Sequence, residues 1–229
     1  MRFAELLKLP NVLQYPEGAA GQWHTHFKND KPITLELACG KGEYAVGLAQ
    51  LFPGRNFVGV DQKGNRIWVG AKKALAASNA NVAFLRIGID RLTEFFGLAE
   101  IEEIWITFPD PQLRLSKDKK RLTHPKFLRM YQQVLKPGGV IHLKTDSPQL
   151  YNFTKRVVEL YGLILHEDLD DVHAGADRKP ELKITTHYES LDIAGSNRVH
   201  YLSFSLPPLM PGKDVDAALH QELKHESIG

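Results

Sequence analysis

From Ile33 onward, short apolar runs alternate with amphipathic helical stripes. The run at 33–38 reads as a buried parallel strand, followed by a helix at 43–52 carrying Tyr44, Ala45, Leu48, Ala49 and Phe52 and stopped by Pro53-Gly54. Phe57-Val58-Gly59-Val60-Asp61 predicts a second strand, and 63–79 a helix with Ile67, Ala71, Ala74 and Leu75 on one face. Further strands are expected at 82–85, 104–108 and 140–143, the last entered through a turn at Pro137-Gly138-Gly139. Helices are expected at 124–136 and 147–161, and closing strands at 163–165 and 199–204. This alternation predicts a doubly wound, mostly parallel α/β sheet of seven strands with helices on both faces, in a single domain at 32–206.

The ends follow no such period. Residues 1–31 hold Pro10, Pro16, Gly18 and Gly21 among scattered aromatics, and read as an arm packed on the domain. Residues 207–229 begin Pro207-Pro208 and read as a tail, with a short helix possible through Val215, Leu219 and Leu223.

Composition narrows the class only a little. Of 229 residues, 43% are hydrophobic and 24% charged, as in soluble globular proteins. No apolar run reaches membrane-spanning length, and the start of the chain lacks the apolar core of a signal peptide. Cys39 is the only cysteine, so an internal disulfide is excluded. These features together lead to an expectation of a cytoplasmic location. His24 and His26, without further ligands nearby in sequence, read as surface residues, and no metal is expected.

The first strand leads into Glu36-Leu37-Ala38-Cys39-Gly40-Lys41-Gly42-Glu43. A strand, a glycine turn and a helix N-terminus make a nucleotide site, and Gly40 and Gly42 are expected to let a ligand approach the backbone. Asp61 closes the second strand, where an acid accepts hydrogen bonds from ribose hydroxyls; the bland alternative is a cap for the following helix. Gly40 to Ala45 also matches the G-x-G-x-x-A of NAD-binding proteins, and Tyr151 with Lys155 the Tyr-x-x-x-Lys of short-chain dehydrogenases. That second family also needs a serine about a dozen residues earlier, where this chain has its Pro-Gly-Gly turn, so Tyr151 and Lys155 read as ordinary helix residues.

The order of Glu36, the glycine loop, Asp61 and Leu135-Lys136-Pro137-Gly138-Gly139 resembles the Rossmann-like class I methyltransferases. A sharper match adds Phe108-Pro109-Asp110-Pro111, then Lys119-Lys120-Arg121, Lys144-Thr145-Asp146 and Thr186-His187-Tyr188-Glu189. These segments, over about 33–206, resemble the bacterial tRNA (guanine-N7)-methyltransferase family. The resemblance implies S-adenosyl-L-methionine as cofactor and tRNA as partner, with formation of 7-methylguanosine at a guanosine of the variable loop. It implies that Glu36, Gly40, Gly42, Asp61, Gly88 and Asp110 hold the cofactor, with Asp110 catalytic between cofactor and base. At the adenine contact usually made by an acid or amide stands Gly88, with Asp90 nearby. Asp146, Thr186, Glu189 and Arg114 would hold the guanosine, the last at the first lysine position of the family's Trp-Pro-Lys-Lys, here Gln112-Leu113-Arg114-Leu115. Ala38 replaces the first loop glycine.

Between Gln112 and Arg129 stand seven Lys or Arg against one acid, Asp118. Lys117, Lys119, Lys120 and Arg121 are candidate phosphate contacts, and a solvated loop is the bland alternative. Two other functions fit the same residues: a same-fold methyltransferase acting on another RNA or a small molecule, and a nucleotide-binding RNA adaptor without catalysis.

Overall fold

A computed structural model describes residues 5–175, 178–191, 195 and 198–226. Among the described residues, eight strands form one sheet: β1 (Val12–Gln14), β2 (Ile33–Leu37), β3 (Asn56–Asp61), β4 (Val82–Arg86), β5 (Ile101–Thr107), β6 (Leu135–Thr145), β7 (Ile164–Leu169) and β8 (His200–Ser205). Their spatial order is β1-β4-β3-β2-β5-β6-β8-β7, and only β8 runs antiparallel to its neighbours. The seven expected strands are all present. The eighth, β1, lies in the arm and pairs with the edge of β4, Val12 opposite Phe84. Three residues show no readable period, and the pairing satisfies an edge that β4 would otherwise leave open.

The helices are α1 (Trp23–Phe27), α2 (Glu43–Leu51), α3 (Gly64–Ala76), α4 (Pro125–Val134), α5 (Pro148–Leu160) and α6 (Asp214–Glu226). Strand alternation separates two cores. Leu35, Leu37, Ile104, Ile106, Ile141 and Leu143 face the core built with α4, α5 and α6. The opposite face packs Trp105 and Phe84 against α2 and α3, through Tyr44, Ala45, Ile67 and Ala71. That second face also carries Glu36, Thr107 and Lys144, buried polar residues in the middle of the sheet. The arm is tied down by the Trp23 indole N–H, which donates to the Phe95 carbonyl at 2.9 Å, and by its stacking on Phe96.

The Pro137-Gly138-Gly139 turn proves to interrupt β6. Leu135 pairs with Ile101, while the next pair is Val140 with Glu103, so residues 136–139 loop out against a single residue. Gly139 brings its Cα close to β5: a Cβ there would lie 2.8 Å from the Glu102 carbonyl oxygen. The loops after β2 to β6 all leave the same edge of the sheet. Chain direction across it reverses between β2 and β5, the place where such sheets bind ligands.

Candidate functional site

The loop from Ala38 to Gly42 is wound in left-handed conformations, with φ of 56°, 55° and 64° at Ala38, Gly40 and Gly42. Asp61 of β3 holds it: one carboxylate oxygen accepts from the Gly40 N–H at 2.9 Å and the other from the Lys63 N–H at 2.8 Å. The alternative reading of Asp61 as the cap of the following helix does not hold: the N-cap is Lys63, without a side-chain cap hydrogen bond, and Asp61 instead ties the glycine loop to the backbone that enters the helix. A carboxylate offers about four acceptor sites, so two remain.

The two glycines differ. A Cβ on Gly40 would make only ordinary contacts, with Tyr188 Cε2 at 3.6 Å and the Ala38 carbonyl oxygen at 3.9 Å. A Cβ on Gly42 would meet the Phe84 ring at 2.3 Å. Gly42 thus serves close packing of α2 against the sheet, a correction to the expectation that it clears space for a ligand. Glu36 is also turned inward. Its oxygens accept from the Ala45 N–H and the Thr107 hydroxyl, both at 2.8 Å. Burial pushes its carboxyl up to about 8, against those hydrogen bonds, with Glu43 and Asp61 adding to the rise.

Beside this loop a cleft of about 970 Å³ opens at the sheet edge. Of the candidate residues, Asp61, Asp110, Asp146, Lys119 and Lys120 line it. Glu36, Gly40, Gly42, Gly88, Arg114, Lys117, Arg121, Thr186 and Glu189 are not on its wall. Gly88 instead starts the turn that brings Ile89 and Asp90 to the cleft; a Cβ there would lie 2.6 Å from Asp90 Oδ1 and 3.0 Å from the Gln62 side chain. Asp110 follows Phe108, at φ 46°, and accepts from the Gln112 N–H at 3.0 Å. Lys63, the N-cap of α3, and Arg66 within it add cations that sequence spacing did not flag.

The basic loop splits in two. Arg114, Lys117, Lys119 and Lys120 are exposed. Arg121 is buried, which corrects its reading as a phosphate contact: its Nε donates to the Pro111 carbonyl at 3.2 Å and its guanidinium lies 4.4 Å over the Phe153 ring. Asp118 is buried too, accepting from the Lys119 N–H at 2.6 Å and facing His220 of α6 at 3.3 Å.

Thr186 and Glu189 form a reciprocal cap. The Glu189 N–H donates to Thr186 Oγ1 at 3.1 Å, and Glu189 Oε2 accepts from the Thr186 N–H at 3.4 Å. Between them Tyr188 reaches the cleft wall, with the Arg66 guanidinium 5.6 Å over its ring. The sequence signal for Tyr188 was its place inside Thr-x-Tyr-Glu. Tyr151 and Lys155 behave as ordinary helix residues, both bonded to Asp168 of β7 and not to the cleft. Among the described residues, no group of three or more His, Cys, Asp or Glu is arranged to hold a metal, and no helix is long and apolar enough to cross a membrane.

Comparison with known proteins places this geometry. A family model described as "Putative methyltransferase" matches residues 30–201. A tRNA (guanine-N(7)-)-methyltransferase of Porphyromonas gingivalis is 49% identical over 209 residues, covering 86% of this chain and 85% of that protein. One of the same name from Bacteroides thetaiotaomicron is 42% identical over 215 residues, covering 90% and 84%. Among solved structures, the 16S rRNA methyltransferase KamB aligns with a TM-score of 0.63 at 15% identity, over 86% of this chain and 99% of KamB, a likeness of fold.

Proposed function

Because the chain belongs to the tRNA (guanine-N(7)-)-methyltransferase family, we propose that its cleft methylates guanine N7 in tRNA, at a guanosine of the variable loop. S-adenosyl-L-methionine, the methyl donor of this fold and family, carries an electrophilic methyl on a sulfonium. The residues present suit it. Asp61 keeps acceptor sites for ribose hydroxyls, and Gly40 puts no side chain between its loop and Tyr188 on the cleft wall. Asp90 stands where Gly88 leaves no side chain to meet an adenine. Glu36 acts from beneath, fixing the first turn of α2 to Thr107 of β5.

Guanine N7 has an in-plane lone pair, so the attacking atom needs no general base. The protein's task is to hold the base and to stabilise the positive charge the ring acquires. The observation that carries this reading is the pair of carboxylates, Asp110 after β5 and Asp146 after β6, entering one cleft from neighbouring strands alongside Asp61. Asp110 lies between cofactor and base, and Asp146 accepts from guanine N–H groups. Tyr188 offers a ring for the base to pack against, held in place by Thr186 and Glu189. Lys119 and Lys120 on the cleft wall, with Arg114 and Lys117 further out, meet tRNA phosphates.

Incubation of the protein with unmodified tRNA and methyl-labelled cofactor, followed by nucleoside mass spectrometry and mapping of the modified base, tests this. The expected product is 7-methylguanosine in the variable loop. Label in another nucleoside, or in none, would refute it.

A further inference from the structure

One fully buried group of the cleft region has no part in the chemistry above. Lys144 lies on β6, two residues before Asp146, and is 0% exposed. Strand alternation points it to the face shared with Glu36 and Thr107. A lone ammonium in that position is costly unless it is paired and its donors are used. It has three partners, all from one segment: the Leu182 carbonyl at 3.2 Å, the Ile184 carbonyl at 2.9 Å and Glu189 Oε2 at 2.9 Å. Its remaining surroundings are aromatic, with the Tyr44 ring at 5.4 Å and the Phe108 ring at 5.7 Å. Burial lowers its pKa and the Glu189 carboxylate beside it works in the opposite sense.

The segment it grips, residues 180–191, crosses the start of α2 and carries Tyr188 to the cleft. The His187 N–H donates to Glu43 at 3.0 Å, and Ile184 fills the space above Gly47. Glu189 is fully engaged: Oε2 by Lys144 and the Thr186 N–H, Oε1 by His173 at 3.2 Å. Arg178 lies 2.7 Å from the other ring nitrogen of His173; since a guanidinium only donates, that nitrogen accepts and the His173 proton faces Glu189. Lys144 also touches the catalytic loop through its backbone, its carbonyl accepting from the Phe108 N–H at 2.8 Å two residues before Asp110.

On the reading of the cleft given above, we infer that Lys144 is a positioning residue: its ammonium latches the 180–191 strap through Glu189 and so sets Tyr188 against the cleft beside Asp110 and Asp146. The T-x-Y-E glutamate then works as the latch's counter-charge and not as a ligand of the guanosine.

The test compares Lys144→Met, Glu189→Gln and the double variant, each at a temperature where circular dichroism matches the wild type. Two readouts run in parallel: kcat at saturating tRNA and cofactor, and the rate at which a lysine-specific protease cuts after exposed Lys183 in the strap. Each single variant is expected to lose about 10- to 100-fold in kcat and to be cut about tenfold faster. The double variant should be no worse than the poorer single one, since both break one latch. Unchanged cleavage in the singles, or losses that multiply in the double, would overturn the inference. Should Lys144→Met fail to fold, Glu189→Gln alone decides it by the same two readouts. The cleavage readout needs no substrate. A wild type that makes no 7-methylguanosine would therefore refute the functional reading, while the cleavage rates would still decide for or against the latch.

Discussion

Gly40 and Gly42 sit two residues apart with nearly equal φ, so replacing each by alanine separates backbone cost from packing cost. An L-residue in the left-handed region costs about 1–2 kcal/mol, and both variants incur that. The difference is where the new methyl goes. At Gly40 its nearest neighbour is Tyr188 Cε2 at 3.6 Å, an ordinary contact. At Gly42 it lies 2.3 Å from Phe84 Cε1 and 2.6 Å from Cζ. Carbon atoms rest about 3.5–4.0 Å apart, so the ring would have to retreat by more than about 1 Å. It has little room to move: Phe84 is fully buried, and it lies so close to the backbones of Gly59 and Gly70 that a Cβ on either would also meet the ring, at 2.9 and 2.8 Å. Overpacking of this kind costs about 1–3 kcal/mol. Gly42→Ala should thus lose about 2–5 kcal/mol of stability, and Gly40→Ala about 1–2. Since total stability of such domains is about 5–15 kcal/mol, the first loss is severe. Urea unfolding of both variants measures the difference, and calorimetry with S-adenosyl-L-methionine adds the second half: Gly40→Ala, whose methyl points toward the cleft side, should be the one to lose cofactor affinity beyond its stability cost. Equal unfolding free energies for the two variants would refute the assignment of Gly42 to packing.

Asp61→Ala should weaken cofactor binding by about 1.5–3 kcal/mol, the loss of charge-assisted hydrogen bonds, and equal affinity by calorimetry would remove Asp61 from the site. Asp110→Asn and Asp146→Asn keep shape but remove charge beside a base that becomes cationic, so each should lower kcat about 10²-fold with the fold intact; near wild-type turnover would refute the role. Neutralising Lys119 and Lys120 should lower the slope of log tRNA affinity against log salt by about 0.7–0.9 per lost phosphate contact, whereas Arg121→Gln should leave that slope alone and instead lower the melting temperature. Glu36 keeps its proton in the folded chain up to about 8 but loses it near 4.5 when unfolded, so the folded state holds more protons between those values. Stability should fall as pH rises through that window, and Glu36→Gln should flatten the fall in urea midpoints measured at mildly acidic and mildly alkaline pH.

The alternation of strand and helix was readable from the chain because buried parallel strands and amphipathic helices carry their own periods. The positions of Asp61, Asp110 and Asp146 followed from that, since each closes or follows a strand and a parallel sheet gathers such ends at one edge. The glycine loop, too, announced itself by composition. What the chain could not announce were facts set by residues far away along it. Gly42 must be glycine because of Phe84, in β4. Arg121 looks like one more cation in a basic loop, and only the packing of α5, which sets Phe153 under its guanidinium, takes it out of the phosphate-binding set. The strand β1 exists because β4 had an edge to fill, not because three residues have a period. Lys144 and Glu189 are 45 residues apart and form their pair in the interior. Periodicity is a local property written along the chain, whereas burial, steric room and charge pairing are properties of a place in space, decided only when distant segments meet there.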